Sequence, residues 1–404
     1  MARSHPEPQA CRLPDRRPYR PRSGLRRLWL AALALAAVGA SSAAGCAASF
    51  DPPSKVDTLR VLAVIPTKKC QPDLTPELCA EMCPPEDLEC AVGGGAYVAP
   101  GDKVEFTMDY VAPPDVSQSE VQITWLGGCF NPVGDEYFGC YASLQKVFED
   151  LAQAVAMGEF PADAPIAQGP GLDRFTLTIP QDIVSSRPVP EVGPHYGISY
   201  LFFAACAGTV RPVPPEGTGT AGSFPLGCFD AEGRRLGADS FVPGYTQIYS
   251  FADGRTNENP VATGINLDKA PIPEGLDGIP EVKRCPLTED ERRVSGCGAE
   301  DPTTACTTYD IEVAAPDDVA EVDADATDVD GAALREAVWV DYYGDAGDFQ
   351  SDVKLVSDPK SGYLPDNAVK WVPPDTVGPA RIWAVVHDAR GGASIVERYV
   401  RVVE

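Results

Sequence analysis

The chain of 404 residues carries 59 acidic and 33 basic side chains, which gives a net charge of −26 at neutral pH with histidine uncharged. Such a charge repels phosphate groups, so it excludes nucleic acid and anionic membrane surfaces as partners recognised through charge. The length is sufficient for two or three domains.

The N-terminal segment has the pattern of an export signal. An arginine-rich stretch precedes the apolar run Leu28–Val38, and small residues then lead to Cys46. The ending Ala43-Ala44-Gly45-Cys46 resembles a bacterial lipobox, in which the cysteine thiol receives a diacylglycerol and the cysteine becomes the mature N-terminus. We therefore predict that residues 1–45 are a signal peptide and that Cys46 is the site of lipid attachment.

Residues 46–56 are expected to tether the lipid to the folded part of the chain. Ala47 stands where lipoproteins retained in the inner membrane of enteric bacteria have aspartate, so we expect an outer-membrane lipoprotein. Two alternatives stay open. Cleavage after Ala44 by an ordinary signal peptidase would release a soluble protein, and a retained apolar segment would act as a membrane anchor.

Eleven cysteines remain when Cys11 and Cys46 are set aside, and export favours their use in disulfides. Two pairs flank short turns or loops and are predicted to be bonded, namely Cys129 with Cys140 and Cys206 with Cys228.

A further group of cysteines lies in a proline-rich and acidic segment without hydrophobic periodicity: Cys70, Cys79, Cys83 and Cys90. We expect two disulfides there, because the segment has little core of its own. The spacing of Cys79 and Cys83 also suits zinc, although no histidine is near in sequence. The pairing of the odd set Cys285, Cys297 and Cys306 stays open.

The first half has the pattern of an antiparallel β-sandwich, with short strands separated by turn signals. The predicted strands are Leu59–Ile65, which Pro66 ends, Lys103–Tyr110, Val121–Leu126 before a Gly-Gly break, Phe175–Ile179, Tyr196–Ala205 and Thr246–Phe251. The strand Tyr196–Ala205 is almost wholly apolar, which favours burial on both faces, and Trp125 is expected to point inward.

One amphipathic helix is predicted within residues 142–158. The apolar side chains that share its face are Leu144, Val147, Phe148, Leu151 and Val155. Gly158 is a suitable C-terminal cap. We expect this helix to cover an edge or end of the sandwich, and partner binding is the alternative.

A polar linker at residues 253–260 separates a first unit, 57–252, from a second unit, 261–404. The predicted strands of the second unit are Val261–Leu267, Tyr309–Val313, Ala337–Tyr343, Val369–Val372, Ala380–His387 and Ala393–Val403. The last two are expected to form a closing hairpin. Trp339 and Trp383 are predicted to fill the centre of this second sandwich. No linker residue is expected to be buried, so residues 257–404 should fold alone.

Several short segments resemble predicted lipoproteins from myxobacteria and related bacteria. They are Val56–Val64, Ala99–Asp102, Asn259–Val261, Trp371–Pro374 and Trp383–Gly392. The resemblance implies two immunoglobulin-like domains on a lipidated N-terminus. It implies no activity, because that family is largely uncharacterised. The four-cysteine insert departs from the simpler proline-rich stretch of the family, so no function is carried across it.

The sequence offers little catalytic chemistry. Beyond the leader only His195 and His387 are histidines, and no nucleophile-elbow, zinc-protease or phosphate-loop motif occurs. Carboxylates are so abundant that no pair can be singled out for glycoside hydrolysis. We predict no enzyme, no catalytic residue and no cofactor.

A second metal-like pattern is an acidic segment that suggests a calcium loop. The acidic segment Asp323–Gly331 resembles half of such a loop, and Asp317-Asp318 lies just before it. With Gly331 at the sixth EF-hand position, Ala326 and Ala337 take the first and last positions, where carboxylates are required. The EF-hand therefore fails. A loosely bound calcium ion between β-loops stays open, and no metal ligand is assigned.

We expect a lipid-anchored, exported protein of the cell envelope with a non-enzymatic binding or structural role. Its partners would be the membrane, through the N-terminal lipid, and an unidentified envelope protein or glycan, but not nucleic acid. The alternative is an exported carbohydrate-binding module or hydrolase accessory protein. A clustered and exposed aromatic platform would favour glycan binding. A deep cleft with convergent carboxylates or His387 would favour an enzyme, and a large exposed apolar patch on one sandwich face would favour an obligate partner.

Overall fold

The computed structural model describes residues 52–69, 91–141, 143, 144, 147, 165–213, 224–293 and 302–404. Several sequence predictions fall outside the described residues. They concern the signal peptide, Cys46, the cysteines at 70, 79, 83, 90 and 297, and most of the helix at 142–158. Of that helix, Leu144 is helical and buried.

The described residues before the linker form eleven strands. These are β1 Arg60–Lys69, β2 Ala91–Gly94, β3 Tyr97–Val98, β4 Lys103–Val111, β5 Gln122–Phe130, β6 Ile166–Pro170, β7 Arg174–Thr178, β8 Tyr196–Cys206, β9 Thr209–Pro212, β10 Leu226–Phe229 and β11 Phe241–Phe251. Three 3₁₀ turns accompany them, at Gln118–Glu120, Val133–Asp135 and Tyr137–Cys140.

The described residues after the linker form thirteen strands and one short helix. The strands are β12 Gly264–Leu267, β13 Ala270–Pro271, β14 Glu281–Lys283, β15 Tyr309–Ala314, β16 Val322–Thr327, β17 Ala333–Arg335, β18 Val338–Gly344, β19 Asp348–Phe349, β20 Val353–Asp358, β21 Gly362–Tyr363, β22 Val369–Val372, β23 Gly378–Asp388 and β24 Ala393–Val403. The helix α1 is Glu289–Arg292, and a 3₁₀ turn lies at Pro302–Ala305.

The architecture is all-β, with two β-sandwiches, as the sequence predicts. In the first sandwich, sheet β2-β1-β4-β7 packs against sheet β3-β11-β8-β5-β6. Pairing is antiparallel except between β3 and β11. Alternate residues of β4 are buried, and the core between the sheets contains Phe106, Trp125 and Phe203. The central strand β8 is buried along nearly its whole length, because its second face is covered as well.

In the second sandwich, sheet β13-β12-β15-β22-β19 faces sheet β14-β24-β23-β18-β20-β21. The predicted closing hairpin is β23–β24. Trp371 and Tyr342 occupy the centre of this core, both fully buried. The prediction that Trp339 and Trp383 fill it is wrong. Side chains alternate along a strand. Trp339 therefore points away from the core that its neighbours Val338 and Val340 enter. Trp383 likewise points away from the core that Ile382 and Ala384 enter.

Two predicted strand ends are also wrong. Pro66 lies inside β1. The strand tolerates it because the Pro66 carbonyl faces away from β4 and accepts a hydrogen bond from Gly95 N. Its missing N–H therefore removes no bond of the ladder to β4. The Gly127-Gly128 pair does not end β5. It forms a bulge, in which Gly128 has a φ of 89°, and the strand continues to Phe130.

The two sandwiches lie in one compact unit. The outer side chains Trp383 and Val385 of β23 pack on Leu62 and Ala63 of β1, and all four are buried. The expectation that no linker residue is buried is wrong, since Asn257 is 3% exposed.

Candidate functional site

A short loop that follows β5 and contains the 3₁₀ turns Val133–Asp135 and Tyr137–Cys140 is the most distinctive surface among the described residues. Residues 131–139, termed the clamped loop, are bracketed by the disulfide Cys129–Cys140. Both cysteines are buried in a hydrophobic cluster with Tyr200 and Phe202 on the second face of β8. The loop is thus fixed to the sheet at both ends.

Asn131 ties the start of the clamped loop to β8. Its backbone N–H donates to the Ile198 carbonyl at 2.9 Å, and its side-chain Oδ1 accepts from Ile198 N at 2.9 Å. Its Nδ2 donates to the carbonyl of Ile183 at 2.7 Å. Asn131 adopts a φ of 46°, a left-handed conformation that asparagine tolerates better than most residues. Its side chain therefore extends the pairing of β8 into the loop.

Asp135 holds the middle of the clamped loop. Its φ is 56°, also left-handed. Its carboxylate accepts from Arg187 Nη2 at 2.9 Å and from the Tyr196 hydroxyl at 2.7 Å, and its carbonyl accepts from the Tyr200 hydroxyl at 2.7 Å. Burial opposes ionisation of Asp135, but the hydrogen bonds from Arg187 and Tyr196 outweigh it and lower the pKa of this carboxyl. Non-glycine residues held at positive φ by such contacts concentrate at functional sites.

The clamped loop displays apolar side chains to solvent. Val133 is 92% exposed, Tyr137 36% and Phe138 45%. The ring of Tyr137 stacks on Tyr245 of β11 with centroids 4.4 Å apart and planes 17° from parallel, and Tyr245 is 44% exposed. We call Tyr137, Phe138 and Tyr245 the aromatic platform.

A polar cavity of about 420 Å³ lies on the clamped loop beside the Asp135–Arg187 pair. The residues that line it are Asn131, Pro132, Gly134, Asp135, Ser186, Arg187 and Pro188. The guanidinium of Arg187 also lies 4.6 Å from the ring centroid of Tyr196. The loop therefore joins a polar cavity to exposed aromatic rings.

The other sequence-predicted residues are distributed elsewhere. The structure pairs Cys129 with Cys140 and Cys206 with Cys228, as the spacing suggests. It also joins Cys285 to Cys306, a pairing that the sequence left open.

Neither histidine lies in the clamped loop. His195 Nε2 is 3.1 Å from the carbonyl of Arg187, and His387 is stacked on Trp339 with its Nε2 3.2 Å from Asp341. In the part of the chain that the structure describes, no group of three or more histidine, cysteine, aspartate or glutamate side chains could hold a metal ion.

The acidic segment examined for calcium forms the hairpin β16–β17. Asp328 at its turn accepts hydrogen bonds from the backbone N–H groups of Asp330 and Ala332. These backbone hydrogen bonds and the ion pair with Lys360 lower the pKa of Asp328. The carboxylate therefore serves the turn itself.

The aromatic platform and Arg187 were not predicted from the sequence. The available signal was the turn between Cys129 and Cys140, which contains Asn-Pro, two glycines and the adjacent aromatic residues Tyr137 and Phe138. Nothing local relates that turn to Tyr245 or Arg187, because both come from distant parts of the chain.

No protein-family model and no curated protein matches this chain. Similar solved structures include native alpha-2-macroglobulin of E. coli, at 7% identity and a TM-score of 0.19, with 76% of this chain and 16% of that chain covered. Another is a beta-glucuronidase of Parabacteroides merdae, at 6% identity and a TM-score of 0.15, with 75% and 22% covered.

A third is the C-terminal domain of the antigen I/II-family protein AspA of Streptococcus pyogenes, at 10% identity and a TM-score of 0.19, with 84% and 99% covered. This chain spans less than a quarter of the macroglobulin and glucuronidase chains. At these scores, none of the likenesses assigns a family or a function.

Proposed function

We propose that this chain is an exported, lipid-anchored, non-enzymatic binding protein of the cell envelope, and that the clamped loop with its aromatic platform is its ligand-binding site. The observation that carries the proposal is the exposure of Val133, Tyr137 and Phe138 on a loop that a disulfide, Asn131 and Asp135 hold rigidly. Binding residues are commonly placed on loops that a rigid scaffold positions.

Export is supported by the disulfides. Cys129–Cys140, Cys206–Cys228 and Cys285–Cys306 indicate an oxidising, extracytoplasmic environment. No helix in the described ranges is long and apolar enough to cross a membrane. Anchoring through a lipid on Cys46, at the outer membrane, is the part of the proposal that depends on the sequence pattern alone.

Exposed apolar side chains favour binding at this site. Tyr137, Phe138 and Tyr245 are each at least 36% exposed, and removal of apolar surface from water is a favourable contribution to complex formation. Aromatic residues and arginine are also enriched where binding energy concentrates. Because the loop is already ordered, a ligand meets little cost in fixing it.

The chemistry of the site supports a non-enzymatic role. A general acid needs a carboxyl that is protonated near neutral pH. In Asp135 the hydrogen bonds from Arg187 and Tyr196 lower the pKa, so the carboxylate stays ionised and paired. Asp135 therefore suits orientation of a ligand rather than proton transfer.

Site-specific photo-crosslinking in native membranes tests the proposal. A diazirine amino acid replaces Val133, which is 92% exposed, and in a matched chain it replaces Val329, which is 98% exposed and lies on the second sandwich. We expect a discrete adduct from position 133 that is missing from position 329 and is lost when Tyr137→Ala is added. Equal labelling from both positions, or none from 133, would contradict the proposed site.

A further inference from the structure

We infer that the ligand of the clamped loop is a neutral saccharide, which stacks on the aromatic platform and places its hydroxyl groups in the cavity beside Asp135 and Arg187. This inference rests on the proposed binding function. It goes beyond it by naming the chemical class of the ligand.

The aromatic platform matches the apolar part of a sugar. A pyranose ring carries a patch of C–H groups on its faces. An aromatic ring presents a flat apolar surface on which such a patch can pack. Tyr137 and Tyr245 form one nearly parallel stack, and Phe138 packs edge-on against Tyr137 with centroids 5.7 Å apart. All three residues are at least 36% exposed, so they have surface left for a ligand beside the contact between Tyr137 and Tyr245.

The cavity supplies the polar partners that hydroxyl groups need. A guanidinium has five N–H donors, and the contacts with Asp135 engage only Nη1 and Nη2. Oδ2 of Asp135 already accepts from Arg187 and Tyr196, whereas Oδ1 contacts Arg187 Nη1 alone and can accept a further hydrogen bond. Ser186 is exposed at the cavity, and its hydroxyl makes only long contacts of 3.4 Å, to the carbonyl of Ile183 and from Asn131 Nδ2, which a ligand hydroxyl could replace. The cavity, of about 420 Å³, is open to solvent and has room for a hydroxyl-bearing group.

Charge at the site favours a neutral ligand. Asp135 and Arg187 pair through both carboxylate oxygens, so the cavity has no net charge to attract a phosphate or an ammonium group. The net charge of −26 on the whole chain repels acidic polysaccharides at longer range. A neutral sugar meets neither obstacle.

The size of the site disfavours a protein partner. A stable protein interface takes about 20 to 30 residues from each side. Among the described residues of this site, the exposed apolar surface comes from four side chains beside one small cavity, namely Val133, Tyr137, Phe138 and Tyr245. That area suits a ligand of one to a few sugar units.

The test is a binding screen of the full-length, detergent-solubilised protein against defined tetrasaccharides. Cellotetraose, maltotetraose and chitotetraose are the neutral probes, and tetragalacturonate is the acidic probe. We expect measurable binding to at least one neutral probe by titration calorimetry and none to tetragalacturonate.

Tyr137→Ala and Tyr245→Ala should each weaken binding at least tenfold. Tyr245→Phe should retain it, because the ring is preserved. Leu276→Ala, at a side chain that is 59% exposed on the second sandwich, is the control and should bind normally.

Failure of all neutral probes overturns the saccharide inference. If the adduct from position 133 then contains a peptide, the binding function stands and its ligand is a protein. If position 133 also gives no specific adduct, both proposals fail. Binding that Tyr137→Ala and Tyr245→Ala leave unchanged would place the saccharide elsewhere and equally overturn the inference.

Discussion

The side-chain amide of Asn257 donates a hydrogen bond to the carboxylate of Asp388 at 2.9 Å, and both residues are almost completely buried. Asn257 lies in the segment between the sandwiches, and Asp388 ends β23 in the second one. The same carboxylate accepts from the backbone N–H groups of Arg390 and Gly392, which shapes the β23–β24 turn. The linker is therefore part of a polar joint.

The joint continues into the first sandwich. Arg390 lies 5.5 Å from the ring centroid of Tyr97, a cation–π distance. Asn259 donates to the carbonyl of Pro66 in β1 at 2.9 Å and accepts from Ala393 N in β24 at 3.2 Å. Since these contacts join both sandwiches to the linker, the joint is expected to restrict their relative motion.

Removing the amide of Asn257 should destabilise the protein. Asn257→Ala leaves Asp388 Oδ2 without the donor that the side chain supplies, and an unsatisfied buried acceptor costs about 1–3 kcal/mol. Urea unfolding of the protein measures the change. Asn266→Ala, at a half-buried asparagine on β12, is the control and should cost less. Equal losses in both variants would contradict the importance of the buried contact.

Glu336 belongs to the joint, because its Oε2 lies 3.5 Å from Arg390 Nε, and it should make the stability of the joint depend on pH. Burial raises the pKa of Glu336 to about 7. The charges of the Asp388 and Glu321 carboxylates add to this rise. The hydrogen bond from Glu321 N–H and the charge of Arg390 oppose it. The side chain of Glu336 is 2% exposed. Because the folded-state pKa lies above the unfolded one, this contribution is fully present below about pH 4.5 and is lost as pH rises through 7.

Glu336→Gln should remove that dependence, since glutamine keeps an oxygen to accept from Glu321 N and does not ionise. Relative to the unmodified protein, the free energy of unfolding of the variant should rise progressively between pH 5 and 8. At 1.4 kcal/mol per pKa unit, the gain at pH 8 is on the order of 3 kcal/mol. Denaturant unfolding at a series of pH values measures the difference. Glu281→Gln, at an exposed position of β14, should leave the pH profile unchanged. A flat difference for Glu336→Gln would refute the assignment.

Local patterns predicted the sandwich strands well, because a strand with one buried face shows period-two alternation. The clearest case is Lys103–Tyr110, which the structure gives as Lys103–Val111. The same rule should have placed Trp339 and Trp383 outward, since Val338 and Val340 alternate with the first, and Ile382 and Ala384 flank the second. Large apolar residues are not always in the nearest core, and Trp383 is buried against another sandwich.

The candidate site was less predictable, because it depends on long-range pairing. Tyr137 meets Tyr245, and Asp135 meets Arg187, only through the register of β8 with β5 and β11. Sequence spacing indicated the Cys129–Cys140 loop, but no local signal indicates which distant side chains flank it. The buried state of Asn257 was missed for the same reason, since its partner Asp388 is 131 residues away.

Lipid attachment at Cys46 is tested by metabolic labelling. Cys46→Ala should abolish incorporation of a fatty-acid analogue and shift the protein out of the membrane fraction, because no thiol is then available at the lipobox. Cys11→Ala, which changes a cysteine of the leader, should leave labelling intact. Labelling that persists in Cys46→Ala would refute the attachment site. Fractionation of inner from outer membrane tests the outer-membrane location.

Loss of the disulfide Cys129–Cys140 should impair ligand binding as well as stability. The double change to serine frees a short loop, and chain-entropy arguments give about 3 kcal/mol for such a bond. The matched control changes Cys206 and Cys228 to serine, which should cost similar stability but leave the clamped loop bracketed. Ligand adducts and unfolding curves of both variants separate the two effects, and equal loss of adducts would contradict a special role of the loop.

Peptide mapping without reduction tests the remaining pairings. We expect bonds between Cys285 and Cys306 and two bonds within the group Cys70, Cys79, Cys83 and Cys90. We expect the two bonds of this group because the proline-rich sequence around it lacks hydrophobic periodicity. Detection of these four thiols in the free form would refute the predicted bonds.

Residues 257–404 should fold alone, yet with an altered surface. The core around Tyr342 and Trp371 is built wholly from residues after the linker, so a cooperative thermal transition is expected. Separation uncovers Trp383 and Val385, however, which β1 otherwise buries. Trp383→Ala should therefore cost about 3 kcal/mol in the whole protein, a typical value for a buried tryptophan. In the isolated half it should change stability little and reduce self-association.

The control is Trp339→Ala, because Trp339 is half-buried and does not pack against β1. Its effect should be the same in the whole protein and in the isolated half, as measured by thermal unfolding and sedimentation. Two results would count against this account. An isolated half without a transition would mean that the second core needs the first sandwich. A Trp383→Ala cost that is equal in both settings would mean that the packing of β23 on β1 does not persist in solution.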